Sequence, residues 1–178
     1  MQFRICLFEA LSNAACTGSK PKILQPVLIT GPGKVVCETN VTLGWFPSPD
    51  FWSGYIHFDT RSAEALITLK ENSSVSNSVV FCCKQAVSIG KNALIGANVQ
   101  FIDFDGHEIH PDRRRQSDGL CKSITIGDNV WIGSNVMILK GVSVGDRSII
   151  GAGSIVTGDI PAGVVAAGNP CRVIKPVS

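Results

Sequence analysis

Two of the chain's three histidines, His107 and His110, fall in one stretch, IDFDGHEIHPDRRRQSDGLCKS, among Asp103, Asp105 and Glu108. Imidazole titrates near neutral pH, and a neighbouring carboxylate can hold it in one tautomer and raise its basicity. That combination suits a general base taking a proton from an attacking hydroxyl. No serine nucleophile motif accompanies it, and Cys121 in the same stretch lacks the electropositive setting of a reactive thiol. His57 stands alone in the sequence, so the three convergent imidazoles of a metal hydrolyase are not assembled, and no metal is expected. Seven cysteines with no CxxC pair read as small packed side chains rather than as a disulfide framework or zinc site.

The histidine stretch interrupts a repeat, and the repeat must position it. From Ile126 the chain runs through six unbroken hexads, IGDNVW, IGSNVM, ILKGVS, VGDRSI, IGAGSI and VTGDIP, each opening on Ile or Val. A helix of 3.6 residues per turn cannot keep every sixth side chain on one face. Short strands separated by regular corners can, and such hexads mark a parallel β-helix. Three hexads make one triangular coil, with the leading residues stacked inward and Gly or Asn at the corners allowing positive φ.

The frame extends back through Ile95 and Ile89, and more weakly through Phe81 and Val75, slipping by two residues between Phe81 and Ile89. The expectation is one all-β domain over residues 1–178: a cap over 1–22, a β-helix over 27–161 with an inserted loop at 102–123, and a tail over 162–178. An inserted loop on a rigid scaffold is where binding and catalysis concentrate.

Composition narrows the function. A net charge of +2 gives no electrostatic footprint for nucleic acid, and no apolar run is long enough for an integral membrane segment. Glu9 interrupts the apolar start MQFRICLFEALSNAAC, so it does not read as a signal peptide, and a cytoplasmic protein is expected. The Arg113, Arg114 and Arg115 cluster, flanked by acids, reads as a solvated loop or as a contact for an anionic ligand. Trp45, Phe46, Phe51, Trp52 and Tyr55, set among prolines, form either an aromatic platform for a sugar ring or a packed cap.

From Ile124 to Ile174, together with the loop motif DGHEIH, the chain resembles the hexapeptide acyltransferases, particularly the galactoside, maltose and xenobiotic acetyltransferase group. It is also similar to surface-polysaccharide O-acetyltransferases. The resemblance implies a left-handed β-helix, an exception to the right-handed rule for parallel crossovers. It further implies a homotrimer, with acetyl-coenzyme A held between adjacent subunits as co-substrate.

By resemblance His107, in the Gly-His step, is the general base, and Asp105 or Asp103 orients it, while His110 supports the loop or touches the acceptor. The matching cofactor positions are Trp131, Ser134, Gly151, Ala152, Thr157, Arg172 and Lys175. Where the family often has Lys after the Thr, this chain has Gly158, which removes one phosphate contact. Asn72, Ser76, Asn77, Trp52 and Tyr55 are candidate acceptor contacts. The implied activity is transfer of acetyl to a saccharide hydroxyl. A drug acceptor is the alternative reading, and a non-catalytic scaffold a further one that acetyl-coenzyme A binding would exclude.

Overall fold

The computed structural model describes residues 1–116 and 119–177, so two residues of the expected inserted loop and the last of the tail lie outside it. The strands stack into three parallel sheets, and the chain visits each in turn. The first face runs from Cys16–Gly18 to Ser143–Val144, and the third from Val27–Thr30 to Ile155–Val156. The second begins at Lys22–Ile23 and continues through Trp131–Ile132 and Ile149–Ile150 to Val164–Gly168. This is the expected parallel β-helix, and the hexad leaders Ile126, Ile132, Ile138, Val144, Ile150 and Val156 all point into its core.

Stacking of equivalents is clearest on the third face, where Ile29, Phe58, Phe81, Phe101, Ile138 and Val156 form one inward column. The three Phe rings are fully buried, with successive centroids 4.8 Å apart and planes 17° and 10° from parallel. Parallel strands repeat at about 4.8 Å, so the ladder sets the ring spacing. The corners between the first and second faces carry Asn40, Asn72, Asn92 and Asn129, all at positive φ, with Arg147 taking the same conformation in the last. Asn tolerates this left-handed region better than other non-glycine residues. Asn72, an expected acceptor contact, is therefore a corner residue whose Oδ1 accepts from Asn40 Nδ2 at 3.2 Å.

Both ends differ from expectation. A helix, α1, spans Gln2–Leu11, but the ladder begins at Cys16 rather than Val27, because Cys16 pairs with Val35 and Lys22 with Thr42. Polar Thr17, Gly18, Ser19 and Lys20 hide this coil from any hexad pattern. The tail is also structured. Val164–Gly168 continues the second face, and Cys171–Pro176 turns back antiparallel along it. Among the described residues no helix is long and apolar enough to cross a membrane.

The phenylalanine column makes a test. Phe81→Ala should leave a void between Phe58 and Phe101 and cost about 3–5 kcal/mol. Urea unfolding at fixed protein concentration checks it, and a loss below about 1 kcal/mol would show that the ladder does not depend on its rings.

Candidate active site

The histidine loop leaves the third face after Gln100–Ile102 and rejoins the first at Ile124–Ile126. Its stem is stitched shut. Phe104 bridges Cys121, Asp105 N–H donates to Leu120 O at 2.8 Å, and Lys122 N–H donates to Asp103 O at 2.8 Å. Gly119 is required here, since a Cβ would lie 2.4 Å from both Asp105 Cβ and His107 O. The Arg61 guanidinium lies over the Phe104 ring, 5.2 Å from its centroid.

Asp103 anchors this stem rather than a histidine. It is wholly buried, with Oδ1 accepting from Lys84 N–H at 2.7 Å and Oδ2 from Gln85 N–H at 2.8 Å. Charge-assisted bonds of this kind are roughly twice as strong as neutral ones. The same carboxylate lies near the Cys83 and Cys121 thiols. Burial first, and then the Asp103 charge, push both above the usual thiol range, which disfavours the thiolate in each.

His107 is exposed at the loop surface, and its Nδ1 lies 2.8 Å from Arg114 O. A carbonyl only accepts, so Nδ1 donates this bond, and in the neutral ring Nε2 is left as the acceptor. The ring is thus held by a backbone carbonyl and not by a carboxylate. Asp105, expected to orient it, instead receives Lys140 Nζ on Oδ1 at 2.5 Å, while its buried Oδ2 has no partner among the described residues. Sequence reasoning passed over Lys140, which sits 35 residues from Asp105 at the corresponding corner of the next coil. His110 turns to its own loop, its Nδ1 accepting from Asp112 N–H at 3.4 Å at the start of the 3₁₀ turn Pro111–Arg113.

The expected cofactor positions gather on the second face and on its edge with the third. Trp131 lies outward between Leu94 and Ile149. Gly96, Gly133 and Gly151 stack beneath one another, and a Cβ on Gly133 would lie 2.7 Å from Ala152 N. Ser134, Ala152 and Arg172 follow along the same edge, and Lys175 pairs with Val165 in the antiparallel strand. Thr157 is separate, exposed on the edge between the third and first faces that also bears the histidine loop. A groove of about 390 Å³ on the second face is bounded by Trp45, Ser76, Leu94, Gly96 and Trp131. Trp45, Leu94 and Trp131 are each about half exposed there.

The expected acceptor contacts Ser76 and Asn77 are consumed in folding the aromatic excursion 44–55. Asn77 is fully buried. Its Oδ1 accepts from Trp45 N–H at 2.9 Å, and its Nδ2 donates to the carbonyls of Trp45 and Pro49 at 2.9 and 2.8 Å. Ser76 Oγ donates to Ser48 Oγ at 2.8 Å. Tyr55 packs on Phe8 of α1 with centroids 4.9 Å apart, so it belongs to a cap, whereas Trp52 stays largely exposed beside Phe51. Arg4 fastens α1 to this excursion through the carbonyls of Trp52, Ser53 and Gly54. His57, partnered by Thr30 Oγ1 at 2.8 Å, is held below the usual imidazole range by burial, although Asp59 opposes the shift. Among the described residues no group of three His, Cys, Asp or Glu side chains is placed to hold a metal ion.

Repeat, stacked columns and inserted loop define a parallel β-helix of hexapeptide repeats. Residues 123–158 match the bacterial transferase hexapeptide (six repeats) family, and residues 86–102 match the hexapeptide repeat of succinyl-transferase. The galactoside O-acetyltransferase of Escherichia coli (strain K12) is 54% identical over 92 residues, which are 52% of this chain and 45% of that protein. A hexapeptide-repeat acetyltransferase from Vibrio cholerae, solved with acetyl-coenzyme A, superposes with a TM-score of 0.63 at 26% identity, over 99% of this chain and 78% of that one. The polySia-specific acetyltransferase NeuO gives a TM-score of 0.61 at 27% identity, over 91% and 76% of the two chains. The chain is similar to the hexapeptide-repeat acetyltransferases and has the left-handed parallel β-helix fold. It spans about half the length of the curated relatives it matches.

The Asp103 anchor makes a second test. Asp103→Asn turns an NH₂ toward one of two backbone N–H donors and should cost about 1–3 kcal/mol. Amide exchange at Lys84, Gln85 and Lys122 should accelerate while the second face keeps its protection. Unchanged exchange at these three amides would show that the stem does not depend on the carboxylate.

Proposed function

We propose that the protein is an acetyl-coenzyme A dependent O-acetyltransferase whose acceptor is a saccharide hydroxyl. One observation carries this reading: the Arg114 carbonyl engages His107 Nδ1, so that in the neutral ring Nε2 is the proton acceptor. In that state the imidazole takes the proton from an acceptor hydroxyl as its oxygen attacks the thioester carbonyl. The tetrahedral intermediate then collapses, releasing the coenzyme A thiol and the acetyl ester, with no acyl-enzyme. The relatives named for galactoside and polysialic acid support a saccharide acceptor.

The second-face groove supports the cofactor assignment. The glycine column gives the pantetheine arm a flat bed, Trp131 offers an aromatic wall, and Arg172 and Lys175 supply cations for phosphates. Thr157 stands apart from this group on the histidine edge, within reach of a cofactor only if that edge is brought alongside. We infer a cyclic homotrimer on the same ground. His107 and Trp131 lie on different sides of one prism, so neighbouring subunits would join the histidine edge of one to the groove of the next. Half-exposed Leu94 and Trp131 supply the apolar surface for that contact. Seven free thiols fit a reducing cytoplasm.

Thiol release from acetyl-coenzyme A across a panel of galactosides, maltose and sialic acid oligomers tests the reading. At least one saccharide should accept acetyl, and His107→Ala should lower its turnover by about 10²–10⁴ without unfolding the protein. Near-normal turnover in that variant would overturn the role of His107. Light scattering should give three times the chain mass, and Trp131→Ala should raise the KM for acetyl-coenzyme A more than it lowers kcat.

A further inference from the structure

The N-terminal end of the prism holds a feature that the acetyl-transfer reading does not use. A cavity of about 630 Å³ lies between α1 and the first coil, bounded by Ile5, Glu9, Ala15, Cys16, Pro21 and Leu43. Cys16, partly exposed, sits on its wall. Across the first two strands of the ladder Cys16 lies opposite Val35, and Cys37 lies opposite Gly18, so the two cysteines are diagonal neighbours. Gly18, at φ +86°, contributes no side chain to separate them. Their sulfurs are 3.3 Å apart, with the Cys37 thiol donating to Cys16.

We propose that Cys16 and Cys37 form a peroxide-responsive dithiol that closes to a disulfide and staples the first strand of the ladder to the second. The hydrogen bond from Cys37 holds the Cys16 thiol below the usual range, which favours it as the attacking sulfur, while that bond and burial push Cys37 upward. Cys82, Cys83, Cys121 and Cys171 are all shifted upward, with burial the largest cause in each.

The chemistry balances with hydrogen peroxide as oxidant. The Cys16 sulfur, giving up its proton, attacks one peroxide oxygen. The O–O bond breaks, hydroxide departs and becomes water with that proton, and Cys16 becomes a sulfenic acid. Cys37 sulfur then attacks Cys16 sulfur, and its proton leaves with the displaced hydroxyl as a second water. Two thiols are oxidised and one peroxide is reduced.

Closure brings the sulfurs from 3.3 Å to the ~2.05 Å of a disulfide. Cys16–Gly18 is an edge strand, paired only with Lys34–Cys37, and can make that movement. The loop so closed contains Lys22–Ile23 and Val27–Thr30, so oxidation would lock the coil at the open end of the stack, where local unfolding is easiest.

The test uses the full chain with stoichiometric hydrogen peroxide, followed by alkylation in denaturant and tryptic mass spectrometry. The expected product joins peptide 5–22 to peptide 35–61 with loss of two hydrogens, and fragmentation places the link on Cys16 rather than Cys6. Dithiothreitol should reverse it, and the oxidised protein should melt at a higher temperature than the reduced one. In Cys37→Ala, Cys16 should stop at a sulfenic acid that dimedone captures. Both thiols remaining alkylatable, Cys16 proceeding to sulfinic acid with Cys37 still reduced, or links dominated by Cys6 would each overturn the proposal. None of these readouts depends on acetyl transfer.

Discussion

Everything in this molecule depends on the hydrogen bonds that run from each coil to the next. They fix the coil spacing at about 4.8 Å, so a residue must suit its neighbours above and below as well as its own place. The outcome is chemistry organised in columns: phenylalanine rings on phenylalanine rings, asparagine corners on asparagine corners, and glycines where backbone meets backbone. Acidic side chains serve the same end at the surface. Asp128, Asp146 and Asp159 each accept a backbone N–H that the corner leaves unpaired, from Lys91, Asp128 and Ser143.

Such a lattice tolerates an excursion only if its stem restores the pairing that the coil loses. The two long excursions do so in the same way on different edges. The aromatic excursion is held by Asn77, which satisfies three carbonyls and one N–H, and the histidine loop by Asp103, which satisfies two N–H groups. Buried polar side chains fix both loops, and Gln25 joins Asn77 in the first by donating to Asp50 O at 2.8 Å. His107 on one edge and Trp131 on the second face, proposed above as base and cofactor wall, are both positioned by that stack.

The hexads from Ile126 onward were legible because each leading position is Ile or Val and each corner is short. The first coil was not, since only Cys16, Ile23, Val27 and Ile29 mark its inward face. His107 could be singled out from the Gly-His step. The partner that orients its ring could not, because Arg114 acts through its backbone carbonyl and any residue type would serve. Asn77 is a related case. A polar side chain in a repeat looks alike whether it faces a ligand or a backbone amide, and only burial and the contacts across the coils separate the two. Lys140 escaped notice because its partnership with Asp105 exists only once the coils are stacked.

The last strand, Cys171–Pro176, runs against the direction of every other strand in its sheet. A ladder of parallel strands ending in a parallel strand would offer an open edge, in register, to the first coil of another molecule, and such an edge invites growth into fibres. Reversing the final strand and placing Arg172 and Lys175 on it changes both the hydrogen-bond pattern and the charge that an incoming edge would meet. The same two cations, proposed above for cofactor phosphates, thus also face any edge that approaches head to tail.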